Sequence, residues 1–313
     1  MVKLLYNLLK TARPRQWIKN FALFAPLVFS GFLFEPGYLP QLITAFILFS
    51  SVASSLYIFN DIADIQTDRR HPFKKKRPIA SGDVSAASAA FFAILILASA
   101  LILSAKTSFF FFLTVLAYIA LQFSYSLWLK KLPIFDVIVI AAGFVLRVYA
   151  GAFAVDLHMS VWFLLTVISA SLFLAVGKRQ SERTLLEGAG IKLSGTRTTL
   201  THYSQRLLDI YTGMFANTTW LTYALFAFQH QFIYTRGPIP TLFSLLPRTL
   251  ITQKWLMLTV PIVIYGVMRY LQLVYEQNRG ESPERVLLSD RPLLYTFTLW
   301  VLMVIAIIYG IAN

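Results

Sequence analysis

Asn60, Asp61, Asp64 and Asp68 crowd one short stretch, followed by a basic run from Arg69 to Arg77 that ends in Pro78-Ile79-Ala80-Ser81-Gly82. If the apolar helix ahead of them runs on, acids at i, i+3 and i+7 project from one face. Three converging carboxylates repel one another unless a cation joins them. A hard divalent ion suits an all-oxygen surrounding, and magnesium commonly links one or two carboxylates to substrate phosphate oxygens. Arg77 and Lys74 are the preferred phosphate contacts, because a guanidinium grips phosphate through two hydrogen bonds and an ammonium acts as a compact charge. His71 is a further candidate. A second reading stays open: the acids form a solvated helix end paired with Arg69, Arg70 and Lys74 to Lys76.

The elements that must position these groups follow from composition. The chain has 313 residues, 57% of them hydrophobic and 13% charged, and a mean hydropathy of +0.65. Such a chain has lipid as its solvent, and unpaired backbone groups are intolerable in hydrocarbon, so the long apolar runs read as helices. The net charge of +14 does not indicate nucleic acid, because the basic residues lie between apolar runs and not on one soluble face. Cysteine is absent, which excludes a disulfide framework, a thiolate metal site and a thiol nucleophile. No small-residue cleavage site follows the first apolar segment near Phe34-Glu35-Pro36-Gly37, so that segment is expected to remain.

Nine spans are expected, near 17–34, 40–61, 84–104, 108–129, 133–155, 160–177, 209–234, 254–275 and 292–312. With the N-terminus cytoplasmic, 23 of the Lys and Arg residues fall inside and four outside, with Arg147 within a span; this is the positive-inside bias. The chain reads as a single transmembrane domain, with an interfacial segment at 1–16 and cytoplasmic active-site loops at 62–83 and 178–208. Leu4, Leu5, Leu8 and Leu9 recur at helical spacing in the first of these, beside Lys3 and Lys10. Arg147 costs about 2.5 to 3.5 kcal/mol inside a span and needs a cavity or a partner. Asp136 is the obvious intraspan acid, but eleven positions separate the two, about three turns on one helix. Each is therefore expected to meet other groups.

The stretch Asn60-Asp61-x-x-Asp64-x-x-x-Asp68 resembles the first signature of the UbiA superfamily of intramembrane transferases. The flanking text is similar to its decaprenyl-phosphate phosphoribosyltransferase branch over nearly the whole chain. Matching stretches are Arg13-Pro14-Arg15-Gln16-Trp17-Ile18-Lys19-Asn20, His71-Pro72 with Lys74, Arg77-Pro78-Ile79-Ala80-Ser81-Gly82, and Tyr125-Ser126 with Lys130-Lys131. Asp136, Gly143-Phe144-Val145-Leu146-Arg147 with Gly151, Gly177-Lys178-Arg179 with Glu182, and Asp290-Arg291-Pro292 continue it. The second acidic motif of typical prenyltransferases is not evident; Lys178-Arg179-Gln180-Ser181-Glu182 stands in that region.

The resemblance implies an all-α, UbiA-type bundle of nine transmembrane helices in the cell membrane, with its active site facing the cytoplasm. It further implies magnesium held by Asp61, Asp64 and Asp68 with Asn60 beside them, a donor, phosphoribosyl pyrophosphate, and an acceptor, a polyprenyl phosphate. Lys19, His71, Lys74, Arg77, Tyr125, Lys131, Arg147, Lys178, Arg179 and Glu182 make up the implied substrate-binding set. Two rivals stay open: a prenyltransferase moving a polyprenyl chain from its diphosphate to an aromatic acceptor, and a membrane transporter. Homo-oligomerisation is left open.

Overall fold

In a computed structural model, residues 2–70, 74–188, 198–230, 254–276 and 283–311 are described, and every regular element among them is helical. Helix α1 spans Val2–Thr11 and a 3₁₀ segment spans Pro14–Phe24; α2 (Ala25–Ser30), α3 (Tyr38–Ala63), α4 (Ile65–Arg70) and α5 (Pro78–Ser81) follow. Then come α6 (Ala86–Thr107), α7 (Phe109–Leu127), α8 (Phe135–Ala154), α9 (Val161–Gly188) and α10 (Gln205–Gln229). The last are α11 (Val260–Tyr275), α12 (Pro283–Ser289) and α13 (Arg291–Ile305).

Among the described residues seven helices are long and apolar enough to cross a membrane, where the sequence reading expects nine spans. The described residues of the two segments outside that count are mostly helical but differ in kind. Within 17–34, residues 17–24 belong to the 3₁₀ segment and 25–30 to the short α2. α10 has the length, but Arg206, Asp209, Asn217 and four threonines dilute its apolar content.

Two compact units emerge. The first comprises Met1–Pro26, Glu35–Leu127 and Leu146–Leu157; the second comprises Leu27–Phe34, Trp128–Val145 and His158–Asn313. In the first, α6 buries Ala89, Ala93, Ala100 and Ser104, all small and on one face, which lets its backbone approach α3 closely. Ser85 starts α6 by accepting a hydrogen bond from the Ser88 amide at 3.1 Å, a standard N-cap. Near the end of α3, Ile58, Ile79, Val84, Ala89 and Ala93 form an apolar cluster joined by Leu8 of α1, while Tyr6 and Leu9 face outward.

In the second unit, Phe173, Ala216, Tyr270, Leu273, Val286 and Leu293 pack together. The Asp290-Arg291-Pro292 stretch is a helix start: the Asp290 carboxylate accepts the Leu293 amide at 2.9 Å, and Pro292 occupies the first turn of α13, where it lacks only an amide with no partner there. The same carboxylate accepts both Nε and Nη2 of Arg269, at 3.1 and 2.7 Å.

Candidate active site

The basic run and its Pro78-to-Gly82 tail fold in a way that aims Arg77. A residue before proline is pushed to extended backbone, and Arg77 has φ −69° and ψ 142°. Pro78 then begins α5, and Gly82 ends it at φ 87°, a left-handed value that glycine adopts without strain. Pro78, Ile79 and Ala80 are buried, and Arg69 Nε donates to the Ala80 carbonyl at 3.1 Å. So anchored, Arg77 Nη1 donates to Asp61 Oδ1 at 2.9 Å and to Asp68 Oδ2 at 2.5 Å. The expected loop at 62–83 is thus largely short helices around this contact.

Asp61 and Asp68 are 4% and 2% exposed. Burial of two carboxylates is tolerable only with cations at hydrogen-bond distance, and a second one arrives from far along the chain: Arg13 Nη2 lies 2.5 Å from Asp61 Oδ1. Arg13 holds a left-handed backbone, φ 54° and ψ 58°, a costly state for a residue with a Cβ. Its guanidinium also sits over the Tyr57 ring, 5.5 Å from the centroid. Nothing in the sequence marks Arg13 beyond its place in a matching stretch, because an arginine ahead of a proline is too common a feature.

Asp64 departs from the expectation of three acids on one face. α3 ends at Ala63, and Asp64 caps it at φ −94° and ψ 7° before α4 begins. Asp61 and Asp68 therefore converge while Asp64 lies exposed. Asn60 accepts a hydrogen bond from the Ser126 hydroxyl at 3.0 Å. Among the described residues no three His, Asp or Glu side chains are arranged to hold a metal ion; arginine occupies the converging carboxylates. The donor set nonetheless suits magnesium, being hard oxygen on two buried acids with a third nearby.

The 3₁₀ segment is matched to α3 residue by residue. Arg13 meets Asp61, Trp17 Nε1 donates to Ser54 Oγ at 2.9 Å, and Asn20 Nδ2 donates to Ser50 Oγ at 2.9 Å. The register follows from helix geometry. Three residues of 3₁₀ helix rise about 6 Å, as do four residues of α-helix, so Trp17 to Asn20 keeps step with Ser54 to Ser50. At the deep end Asn20 Oδ1 accepts Arg147 Nε at 2.8 Å. Arg147 Nη2 donates to the Tyr118 hydroxyl at 2.8 Å, and the guanidinium faces the Phe49 and Tyr118 rings.

Lys19 and Tyr125 are half-buried elements of the first unit. His71 lies outside the described residues, as does the side chain of Lys74. In the second unit Lys131 is exposed, and Lys178 Nζ stands 3.9 Å from Glu182. Arg179 is fully buried; its Nε is 3.1 Å from Asp136 Oδ2, and its Nη1 pairs with Glu182. Tyr203 completes this group, donating to Asp136 Oδ1 at 2.6 Å and accepting the Ile134 amide at 2.6 Å. Burial pushes the Tyr203 hydroxyl pKa up, and its bond to the Asp136 carboxylate raises it further. As expected, Asp136 and Arg147 each meet other groups. Nothing about a tyrosine beside a helix cap marked Tyr203 in the sequence.

Residues 21–289 match the UbiA prenyltransferase family. The chain belongs to this family. It is a multi-pass membrane transferase. A decaprenyl-phosphate phosphoribosyltransferase of Mycolicibacterium smegmatis is 34% identical over 310 residues, covering 98% of this chain and 93% of that protein. The Corynebacterium glutamicum enzyme of the same name is 31% identical, covering 97% and 87%. A UbiA homolog from Archaeoglobus fulgidus, solved bound to GPP and Mg2+, superposes with a TM-score of 0.67 over 96% of this chain and 99% of that one, at 20% identity. The UbiA fold is thereby shown, and within it Asp61, Asp68, Arg77 and Arg13 are the charged group that the first acidic signature gathers.

Proposed function

We propose that this UbiA family member transfers the 5-phosphoribosyl group of phosphoribosyl pyrophosphate to a polyprenyl phosphate of decaprenyl type, releasing pyrophosphate. The single observation that carries this reading is the near-full-length similarity to decaprenyl-phosphate phosphoribosyltransferases from two genera. The paired arginines on buried carboxylates support it, because a site for two phosphorylated substrates needs both acids and cations.

In the reaction the C1–O bond to pyrophosphate breaks with its electron pair leaving on oxygen, C1 gains oxocarbenium character, and a phosphate oxygen of the lipid forms the new C1–O bond from the opposite face. An ionised phosphate needs no general base. Asp61 and Asp68, with Asp64 beside them, would hold magnesium, which supplies neutralisation of the charge that grows on departing pyrophosphate. Arg13 and Arg77 pair with the acids beforehand and are placed to turn toward phosphate oxygens, so that fixed charge positions the donor. Asn60, held by Ser126, borders the acids. Lys19, His71, Lys74, Tyr125, Lys131, Lys178 and Glu182 remain proposed contributors to substrate binding; for Arg147 the contacts with Asn20 and Tyr118, and for Arg179 those with Asp136 and Glu182, favour a framework role over the substrate contact expected of both.

This reading places the site at the cytoplasmic face of the cell membrane, in a bundle of nine crossings with the N-terminus inside, as the distribution of Lys and Arg supports. Purified protein with magnesium, phosphoribosyl pyrophosphate and decaprenyl phosphate should release pyrophosphate and form a phosphoribosylated lipid. Turnover of a polyprenyl diphosphate with an aromatic acceptor, and no pyrophosphate from the first pair, would instead establish prenyl transfer.

A further inference from the structure

The network at the deep end of the 3₁₀ segment does more than bury an arginine. Asn20 is 1% exposed and uses both ends of its amide, one to Ser50 and one to Arg147. Three residues on, the Leu23 carbonyl lies so close to Gly151 that a Cβ there would stand 1.9 Å from its oxygen. Sliding the segment by one residue would therefore break the bonds of Asn20 to Ser50 and to Arg147 Nε and lose the fit at Gly151. From Asn20 the segment runs about 14 Å to Arg13 at 3₁₀ rise, against about 16 Å along α3 from Ser50 to Asp61. The place where the deep end is fixed thus sets where Arg13 stands.

We propose that Arg147, acting through Asn20, is a positioning residue that locks the register of the Pro14–Phe24 segment and so places the Arg13 guanidinium on Asp61. A buried charge at the far end of the unit then governs the site without touching substrate. The inference rests on the proposed metal-and-diphosphate reading of Asp61 only for the sign of the binding effect below. Arg13 competes with any divalent ion for Asp61, so losing the contact tightens divalent binding.

The test uses the full chain in nanodiscs with Mn2+ as the probe, read by electron paramagnetic resonance. Arg13→Gln is expected to lower the Mn2+ Kd about fivefold, within the range of a partly exposed ion pair. Arg147→Met should give a shift of similar size, and the double variant no more than either alone. Unchanged Kd in Arg147→Met, with or without a loss of thermal stability, or additive shifts in the double variant, would overturn the proposal. If Arg147→Met is not recovered folded, Ser50→Ala removes the other partner of Asn20 and should give a smaller shift that vanishes in the Arg13→Gln background; a shift that persists there overturns it.

A second readout is independent of metal. The chain has no cysteine, so spin labels at Arg15→Cys and Leu127→Cys, both exposed positions of the first unit, report the segment's placement. Their distance distribution should broaden or move by about 2 Å or more, one residue of 3₁₀ rise, when Arg147 becomes Met. An unchanged distribution contradicts the lock even if the metal reading of Asp61 has failed.

Discussion

Arg77 reaches Asp68 at 2.5 Å across nine residues of sequence, and the same nitrogen holds Asp61. One guanidinium thus stands between two buried acids, where the proposed function sets a divalent ion beside a phosphate. Arg77→Ala removes that shared counter-charge while leaving Arg13. The metal-free protein should lose about 1 to 3 kcal/mol, less than a fully buried pair would because Arg77 is partly exposed. Thermal unfolding with and without magnesium checks this: magnesium should restore part of the loss, and turnover should stay down about a hundredfold.

The three acids should separate by assay. Asp61→Asn and Asp68→Asn disturb the arginine contacts and are expected to change the melting temperature of metal-free protein and to remove turnover. Asp64→Asn, at an exposed helix end, should leave metal-free stability within about 0.5 kcal/mol yet weaken the stabilisation gained on adding magnesium. Differential scanning fluorimetry across a magnesium series distinguishes the two behaviours.

Gly151→Ala tests the close approach of α8 to the 3₁₀ segment. Its methyl group meets backbone and not a flexible side-chain end, so relief requires moving the segment. A loss of about 2 to 4 kcal/mol is expected, measured by chemical denaturation in detergent, with turnover falling as Arg13 moves.

Tyr203→Phe tests the Asp136 group. Losing the hydroxyl leaves a buried carboxylate oxygen and the Ile134 amide short of a partner, at a cost of about 1 to 3 kcal/mol near neutral pH. The pH dependence has a definite sign. Burial and the Asp136 bond raise the Tyr203 pKa in the folded protein, so its stabilisation is complete below the unfolded value of about 10. Above that value the unfolded chain loses the proton first, and the contribution declines. The stability gap between wild type and Tyr203→Phe should be constant from pH 7 to about 9.5 and narrow above pH 10.

Much of this was legible in the sequence because spacing and chemistry agree locally. Arg77 could be picked out because a guanidinium close to the acids can grip phosphate through two hydrogen bonds, and Asp136 and Arg147 could be separated by helix arithmetic alone. Asp64 misled because the spacing argument needs an unbroken helix, and nothing in Ile62-Ala63-Asp64-Ile65 signals a stop. Arg13 and Tyr203 were hidden for another reason: their partners lie 48 and 67 residues away, and a single sequence carries no trace of such pairings. The first apolar segment read as an ordinary span because composition does not distinguish 3₁₀ from α, although that difference in rise is what matches it to α3.

In the proposed reaction Asp61 and Asp68 hold the departing diphosphate through a divalent ion as Arg77 turns from acid to phosphate. A structure of the protein with Mn2+ and pyrophosphate, located by the anomalous signal of manganese, tests it most directly. Manganese bound by Asp61 and Asp68, with Arg77 on the diphosphate, is the expected result. Manganese and diphosphate bound elsewhere, with Arg77 still bridging the two acids, would contradict it.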